Sequence, residues 1–258
     1  MYHDVVMADR GPTGRAGAGP DRYKLAWDAF VEHLDRIGEL AQVPPTILGD
    51  GRAPEPSWSL TFDDGGASAL AVGAELLRRE WRGYFFVTTG FIGRSGFVDD
   101  DAIRALDAMG HAIGSHSVTH PERMAALSPP ALLHEWQASV ETLSELLGRE
   151  VRTGSVPGGY YGKRVALAAA RAGIQTLFTS EPVRTARGVD GCLVVGRYSV
   201  RDDTSALDAA RAAAGDAAPW LRQYVGWNVR KQAKALGSDH YDRVRGALLA
   251  ARSRRVRR

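Results

Sequence analysis

The chain is short of cysteine, of long apolar runs and of charge of one dominant sign, and each shortage removes a class of protein. One cysteine in 258 residues, Cys192, leaves no internal disulfide. It stands in the apolar run Cys192-Leu193-Val194-Val195, the setting of a buried, inert thiol. No stretch approaches the ~18 apolar residues of a membrane span, and the start has no apolar run of signal-peptide length. The expectation is a cytoplasmic protein without a transmembrane segment. Formal net charge is only +3, with the basic excess in the last residues (Arg252, Arg254, Arg255, Arg257, Arg258). The body is close to neutral, so nucleic acid is not an expected partner. A basic tail of this kind also suits weak contact with an anionic membrane surface.

What is present is ordinary for a soluble globular chain: 44% hydrophobic and 24% charged residues. The length suffices for one large α/β domain with a helical tail. Residues 8–19, rich in glycine and small side chains, read as a flexible surface loop. The Gly14 to Gly19 run is no dinucleotide fingerprint, because Pro20 follows it where a helix should start.

Trp27, Phe30, Val31, Leu34 and Ile37 share one face of a helix over 23–40, with His33 expected in solvent. Past the prolines at 44–45 and 54–56, apolar runs alternate with helical patterns. Strands are expected near 58–62, 83–87, 111–115, 151–156, 174–179 and 193–200, with helices at 67–79, 101–109, 129–147 and up to 172. Ser128 as N-cap, Pro129 at the first position and Gly148 past the end bound the clearest helix, and Trp136 on its apolar stripe is core. This rhythm predicts parallel strands. From Thr204 the chain is alanine-rich and helical, which sets expected bounds of 1–203 for the α/β domain and 204–258 for a basic helical extension packed on it.

Two stretches carry chemistry. Trp58 to Gly66 reads Trp-Ser-Leu-Thr-Phe-Asp-Asp-Gly-Gly, a buried strand that delivers two carboxylates to its C-terminal mouth. Gly114-Ser115-His116-Ser117-Val118-Thr119-His120 supplies two imidazoles directly after another apolar run. Alone, Asp-Asp-Gly is a turn and His-x-x-x-His is weak. Together, on the same mouth of a parallel sheet, one carboxylate and two histidines make a metal site with open positions.

These motifs resemble those of the polysaccharide deacetylase family, whose catalytic unit is the NodB homology domain (carbohydrate esterase family 4). Its TFDDG motif stands unchanged as Thr61 to Gly65, and its H-[ST]-x-x-H motif as His116 to His120. The opening Tyr2-His3-Asp4-Val5 also resembles the strand that begins many members, and the likeness runs from residue 1 to about Ser199. It implies a distorted (β/α)7 barrel. It also implies metal binding by Asp64, His116 and His120, and general-base duty for Asp63. The activity implied is removal of N-acetyl groups from a glycan or glycan precursor. The cation is a divalent ion: zinc by default, with cobalt, nickel or manganese suited to a similar donor set.

The later motifs diverge. In the family's R-x-P-[YF] the arginine steadies the base, and the residue after proline lends its N–H to the oxyanion. Here the segment is Ser155-Val156-Pro157-Gly158, so Gly158 keeps the N–H while the arginine's ion pair is expected to be lost. Tyr160 or Tyr161 is the candidate aromatic wall, and Glu181 the polar stand-in for an absent Asp-x-x-Asp-Trp segment. The histidine general acid of Leu-x-His has no match in Val195 to Val200. Arg197 in that strand is a candidate for reading an anionic substrate group, and His240 is a remote candidate acid. Two other functions follow from these gaps: hydrolysis of a different non-peptide C–N bond, and a catalytically impaired barrel that binds metal and glycan.

Overall fold

The computed structural model describes residues 1–8, 11, 13–48, 58–159 and 161–236. β1 (Val5–Val6) pairs in parallel with β2 (Leu25–Ala26), which leads into α1 (Trp27–Leu40). The expected alternation follows: β3 (Leu60–Phe62), α2 (Ala69–Arg78), β4 (Gly83–Val87), α3 (Asp100–Ala108), β5 (Ala112–Ser115), α4 (Pro129–Leu147), β6 (Thr153–Ser155), α5 (Lys163–Arg171) and β7 (Thr176–Phe178). β8 (Arg187–Val189) and β9 (Cys192–Val195) complete the strands, and α6 (Ala206–Ala213) and α7 (Ala217–Leu236) end the described chain.

Seven strands form one sheet in the order β3-β4-β5-β6-β7-β9-β8, parallel throughout except for the β8–β9 hairpin. The sheet curls. Tyr2 bridges to Phe62 beside β3, and the Val200 N–H donates to the Met1 carbonyl, so the opening residues lie between β3 and the segment after β9. The parallel strands follow the βα rhythm, and the curled sheet is a half-barrel of the kind the family resemblance implies, with one difference. The opening strand joins β2 in a separate ribbon, and β8, which the apolar pattern does not reveal, is the seventh strand.

Parallel strands covered on both faces are apolar at every position, and all five residues of β4 are buried. Alternate side chains point to opposite faces. Phe85 stacks on Phe62 at 4.9 Å toward α1, α2 and α3, while Tyr84 and Phe86 gather with Phe178 in a second cluster. α4 has the bounds its caps predict: the Ser128 hydroxyl accepts from the Ala131 N–H, and Gly148 takes the left-handed conformation at φ 65°. Trp136 is fully buried beneath it.

His33 does not face solvent as expected. It is 3% exposed, with Nδ1 3.3 Å from the Tyr2 hydroxyl and Nε2 3.2 Å from the Thr204 carbonyl. The cause is α6, whose Ala209 and Ala210 pack on Ile37 of α1, the small side chains allowing close approach. After residue 204 the described chain consists mainly of α6 and α7, and the Arg-rich end with His240 lies outside the described residues. Among the described residues no helix is long and apolar enough to cross a membrane.

Candidate metal centre

The acids emerge where β3 stops. The Asp63 N–H donates to the Tyr2 carbonyl, and the backbone then turns left-handed at Asp64 and Gly65, both at φ 76°. That reversal sends successive carboxylates in different directions. Gly66 must lack a side chain, because a Cβ there would fall 1.7 Å from Asp4 Oδ1. Both glycines after the acids thus have steric causes.

The histidines sit in a turn after β5 that is held by buried polar groups. The Glu135 carboxylate of α4 accepts from the Val118 and Thr119 N–H groups at 2.9 Å each, and from the Thr119 hydroxyl at 2.7 Å. Ser115 and Ser117 hydroxyls accept from the Ser117 and His120 N–H groups. These bonds support two non-glycine residues in the left-handed region, Ser117 at φ 65° and His120 at φ 55°. Such strain persists only where the surroundings over-determine it.

The two segments converge. Asp64 Oδ1 lies 3.3 Å from His116 Nε2 and 3.2 Å from His120 Nε2, and all three side chains are buried. Despite that proximity, Asp64 Oδ1 has no hydrogen-bond partner, since the three atoms point at a shared space and not at one another. Donors about 2.1 Å from a tetrahedral cation stand about 3.4 Å apart, which these separations match. The His116 Nδ1 lies 2.9 Å from the Ser155 carbonyl, so it carries the proton and leaves the Nε2 lone pair toward Asp64. The residues therefore fit a small divalent ion. Burial pushes the Asp64 carboxyl up, but the imidazoles of His116 and His120 outweigh it and hold it well below the usual carboxylate range. Burial depresses the basicity of His120, with Asp64 partly offsetting.

Asp63 faces the other way, onto Arg197. Nη1 and Nη2 donate to its two carboxylate oxygens at 2.7 and 2.8 Å, the fork geometry of a bidentate pair. The remaining donors reach the Thr179 carbonyl, the Thr61 hydroxyl and the Ser155 hydroxyl at 3.0, 3.1 and 2.7 Å. All five guanidinium N–H groups are thus taken. Burial pushes Asp63 up, but the Arg197 charge, with His116 and His3, brings it down to about 2.

Two expectations change here. The ion pair thought lost with Ser155 is present, supplied by Arg197 from the segment after β9. Arg197 in turn has no donor left for a substrate anion, so it pairs with Asp63 and is not a substrate-reading residue. Glu181 is engaged too, its carboxylate 2.7 Å from Arg187, whose guanidinium lies over the Tyr161 ring. Gly158 follows β6 at φ 66°, and a Cβ there would meet the Glu122 carbonyl at 2.5 Å, which accounts for the missing aromatic at this position. Tyr160 lies outside the described residues.

Two residues at the site escaped the sequence reading. His3 is close enough to Asp64, Asp63 and His116 to feel their charge, its ring packs on Tyr23 at 4.5 Å, and its buried Nδ1 has no partner. The Tyr-His opening of the chain was the available signal. Arg15, from the glycine-rich loop, places Nη1 2.8 Å from His120 Nδ1 and 3.2 Å from its Nε2. Nothing in the sequence pattern marked it.

Residues 50–177 match the family model described as polysaccharide deacetylase. That stretch, which holds both motifs, is similar to the family across β3 to β7. That family consists of deacetylase-type hydrolases of non-peptide carbon–nitrogen bonds that act on acetylated glycans. A gellan lyase from Bacillus sp. is 32% identical over 103 residues, 40% of this chain and 4% of that protein's length. Among solved structures, the Streptococcus pyogenes deacetylase PplD in complex with acetate is 17% identical with a TM-score of 0.63, covering 80% of this chain and 94% of its own. IcaB from Ammonifex degensii is 20% identical at the same TM-score, covering 82% and 96%. The putative polysaccharide deacetylase BA0330 from Bacillus anthracis is 16% identical with a TM-score of 0.64, covering 82% and 68%. At these identities the likeness concerns the fold.

Proposed function

We propose that this chain is a metal-dependent deacetylase that releases acetate from an N-acetylated saccharide, with Asp64, His116 and His120 holding a divalent ion, zinc by default. One observation carries the reading: a buried carboxylate oxygen without a hydrogen bond, aimed between two Nε2 atoms. A bound divalent ion supplies Lewis acidity, polarising an acyl oxygen and making a water acidic near neutral pH.

The protein's own groups do the rest. Asp63 takes the proton of the attacking water. Held at about 2 by Arg197, it is ionised at every physiological pH and is by itself a weak base, so transfer to it needs an acidified water. Arg197 fixes both carboxylate oxygens and keeps Asp63 from swinging to the cation. The Gly158 N–H is assigned to the oxyanion. His3, whose buried Nδ1 has no partner, is assigned as proton donor to the departing amine, a role in which the charges of Asp63 and Asp64 must offset the burial that lowers its basicity. The intact Asp63–Arg197 pair weighs against a catalytically impaired barrel.

The test is acetate release from N-acetylglucosamine oligomers by chelated protein and after adding back zinc, cobalt, nickel or manganese. Asp63→Asn is expected to bind metal as the wild type does and to lose at least a hundredfold in turnover. Acetate release that survives chelation, or a fully active Asp63→Asn, overturns the reading.

A further inference from the structure

We propose that Arg15 is a specificity-determining residue that pairs with an anionic oxygen group, carboxylate or phosphate, on the acetylated substrate. The proposal rests on the deacetylase reading above and names the substrate class for the same site.

The loop that carries Arg15 is not free to wander. Thr13 is buried, donates to Asp4 Oδ1 at 2.8 Å and accepts from the Ser68 N–H at 3.0 Å. The Gly14 N–H bonds the Gly96 carbonyl, and a Cβ on Gly14 would overlap Asp4 at 1.6 Å. The residue directly after these anchors therefore has its backbone set by the fold. Its half-buried side chain runs to the rim of the metal centre, where Nη1 meets both ring nitrogens of His120.

That contact cannot persist in a metal-loaded site. A guanidinium only donates hydrogen bonds. When His120 Nε2 gives its lone pair to a cation, Nδ1 carries the ring proton, and neither nitrogen can accept from Arg15. Among the described residues no carboxylate forms an ion pair with Arg15. Metal loading thus leaves a half-buried cation without an acceptor beside the centre, and an unsatisfied charged donor there favours an incoming anion. Arg197, the other guanidinium of the site, has every donor engaged, so Arg15 is the one with capacity for substrate. A sugar bearing a negatively charged oxygen group near its acetamido group would supply the missing acceptor.

The experiment uses the zinc-loaded full chain and Arg15→Gln, with three substrates: chitotetraose, which is neutral, a hyaluronan tetrasaccharide, which carries carboxylates, and N-acetylglucosamine 6-phosphate. Wild-type kcat/KM is expected to favour at least one anionic substrate over chitotetraose by about tenfold or more, the scale of a charged hydrogen bond. In Arg15→Gln that ratio falls to within about twofold of unity. The arm that keeps the preference tells carboxylate from phosphate. Calorimetric binding of glucuronate and of inorganic phosphate to the same two proteins gives a readout independent of turnover, and Arg15→Gln is expected to weaken it about tenfold.

Zinc affinity of Arg15→Gln, measured by competition with a chelating dye, is expected to equal or exceed that of wild type, since a competitor for His120 is gone. Equal loss on all three substrates, unchanged anion binding, or a fall in zinc affinity overturns the Arg15 assignment. If no substrate releases acetate, the deacetylase reading falls while the anion titration still decides Arg15. If chitotetraose is turned over and neither anion binds, the deacetylase reading stands and the Arg15 assignment falls.

Discussion

Arg197 and Asp63 stand 134 residues apart in the chain and share two parallel hydrogen bonds in the buried floor of the site. The pair closes the curl of the sheet, because Asp63 follows β3 while Arg197 follows β9, and the opening residues lie between those two segments. Removing the guanidinium leaves a buried carboxylate unpaired, a change that costs on the order of 3–5 kcal/mol.

Arg197→Gln has a pH signature with a definite sign. Asp63 sits at about 2 in the folded chain, against about 3.9 unfolded. Its stabilisation is therefore complete above the unfolded value and disappears as pH falls through the folded one. Arg197→Gln should lose that advantage and unfold at higher pH than wild type when acidified, with Arg197→Lys in between because it keeps charge without the fork. Circular dichroism along an acid titration checks this, and identical acid midpoints would count against the pair's importance.

Metal should stabilise the fold through the same triad. An ion at a hundred times its dissociation constant adds about 2.7 kcal/mol, equivalent to a rise of about 5–10 °C in Tm for a chain of this size. Zinc added to chelated protein is expected to give that rise, and His116→Ala or Asp64→Asn to remove most of it. Scanning calorimetry with and without zinc decides; a Tm indifferent to zinc would refute the donor set.

How much of this was legible depends on how local each signal is. The Asp63-Asp64-Gly65-Gly66 and His116-to-His120 stretches hold their chemistry in a few contiguous residues. α4 was readable to its ends because Ser128, Pro129 and Gly148 are local stop signals. β8 went unread even though Asp190-Gly191 is a hairpin turn with both residues at positive φ, 52° and 79°. Its exposed Arg187-Gly188-Val189 has no apolar pattern to announce a strand. Ser155 showed that an arginine was missing, but its replacement comes from the segment after β9, a relation only the curl of the sheet creates. His33 was misplaced for a similar reason: α6, far along the chain, covers it. The loop at 13–19 read as flexible because of its glycines, whereas Gly14 is there to admit the Asp4 carboxylate.

Glu135 is expected to matter more than its distance in sequence from the histidines suggests. It satisfies two N–H groups and one hydroxyl in the turn that presents His120. Glu135→Ala strips three bonds at once and should lower zinc affinity about 10–100-fold, the usual cost of losing support behind a ligand. Glu135→Gln keeps an acceptor for the amides and should lose less. Isothermal titration of zinc into the two variants orders them, and equal affinities in all three proteins would remove Glu135 from the site.

Asp4 gives the opposite pH dependence to Asp63. Burial pushes its carboxyl up to about 6; the Thr13 and Ser68 hydroxyls offset part of this, and the Asp64 charge adds to it. A group whose folded pKa lies above its unfolded value of about 3.9 is no burden while protonated in both states. It destabilises progressively as pH rises through that window, with the full penalty above 6, on the order of 3 kcal/mol for about two units. Asp4→Asn cannot ionise and keeps an oxygen for the Thr13 hydroxyl. The stability of Asp4→Asn relative to wild type should therefore improve by about that amount between pH 4 and pH 8. Urea unfolding at both values measures it, and a difference that is flat across this range would show that Asp4 is not strained by its burial.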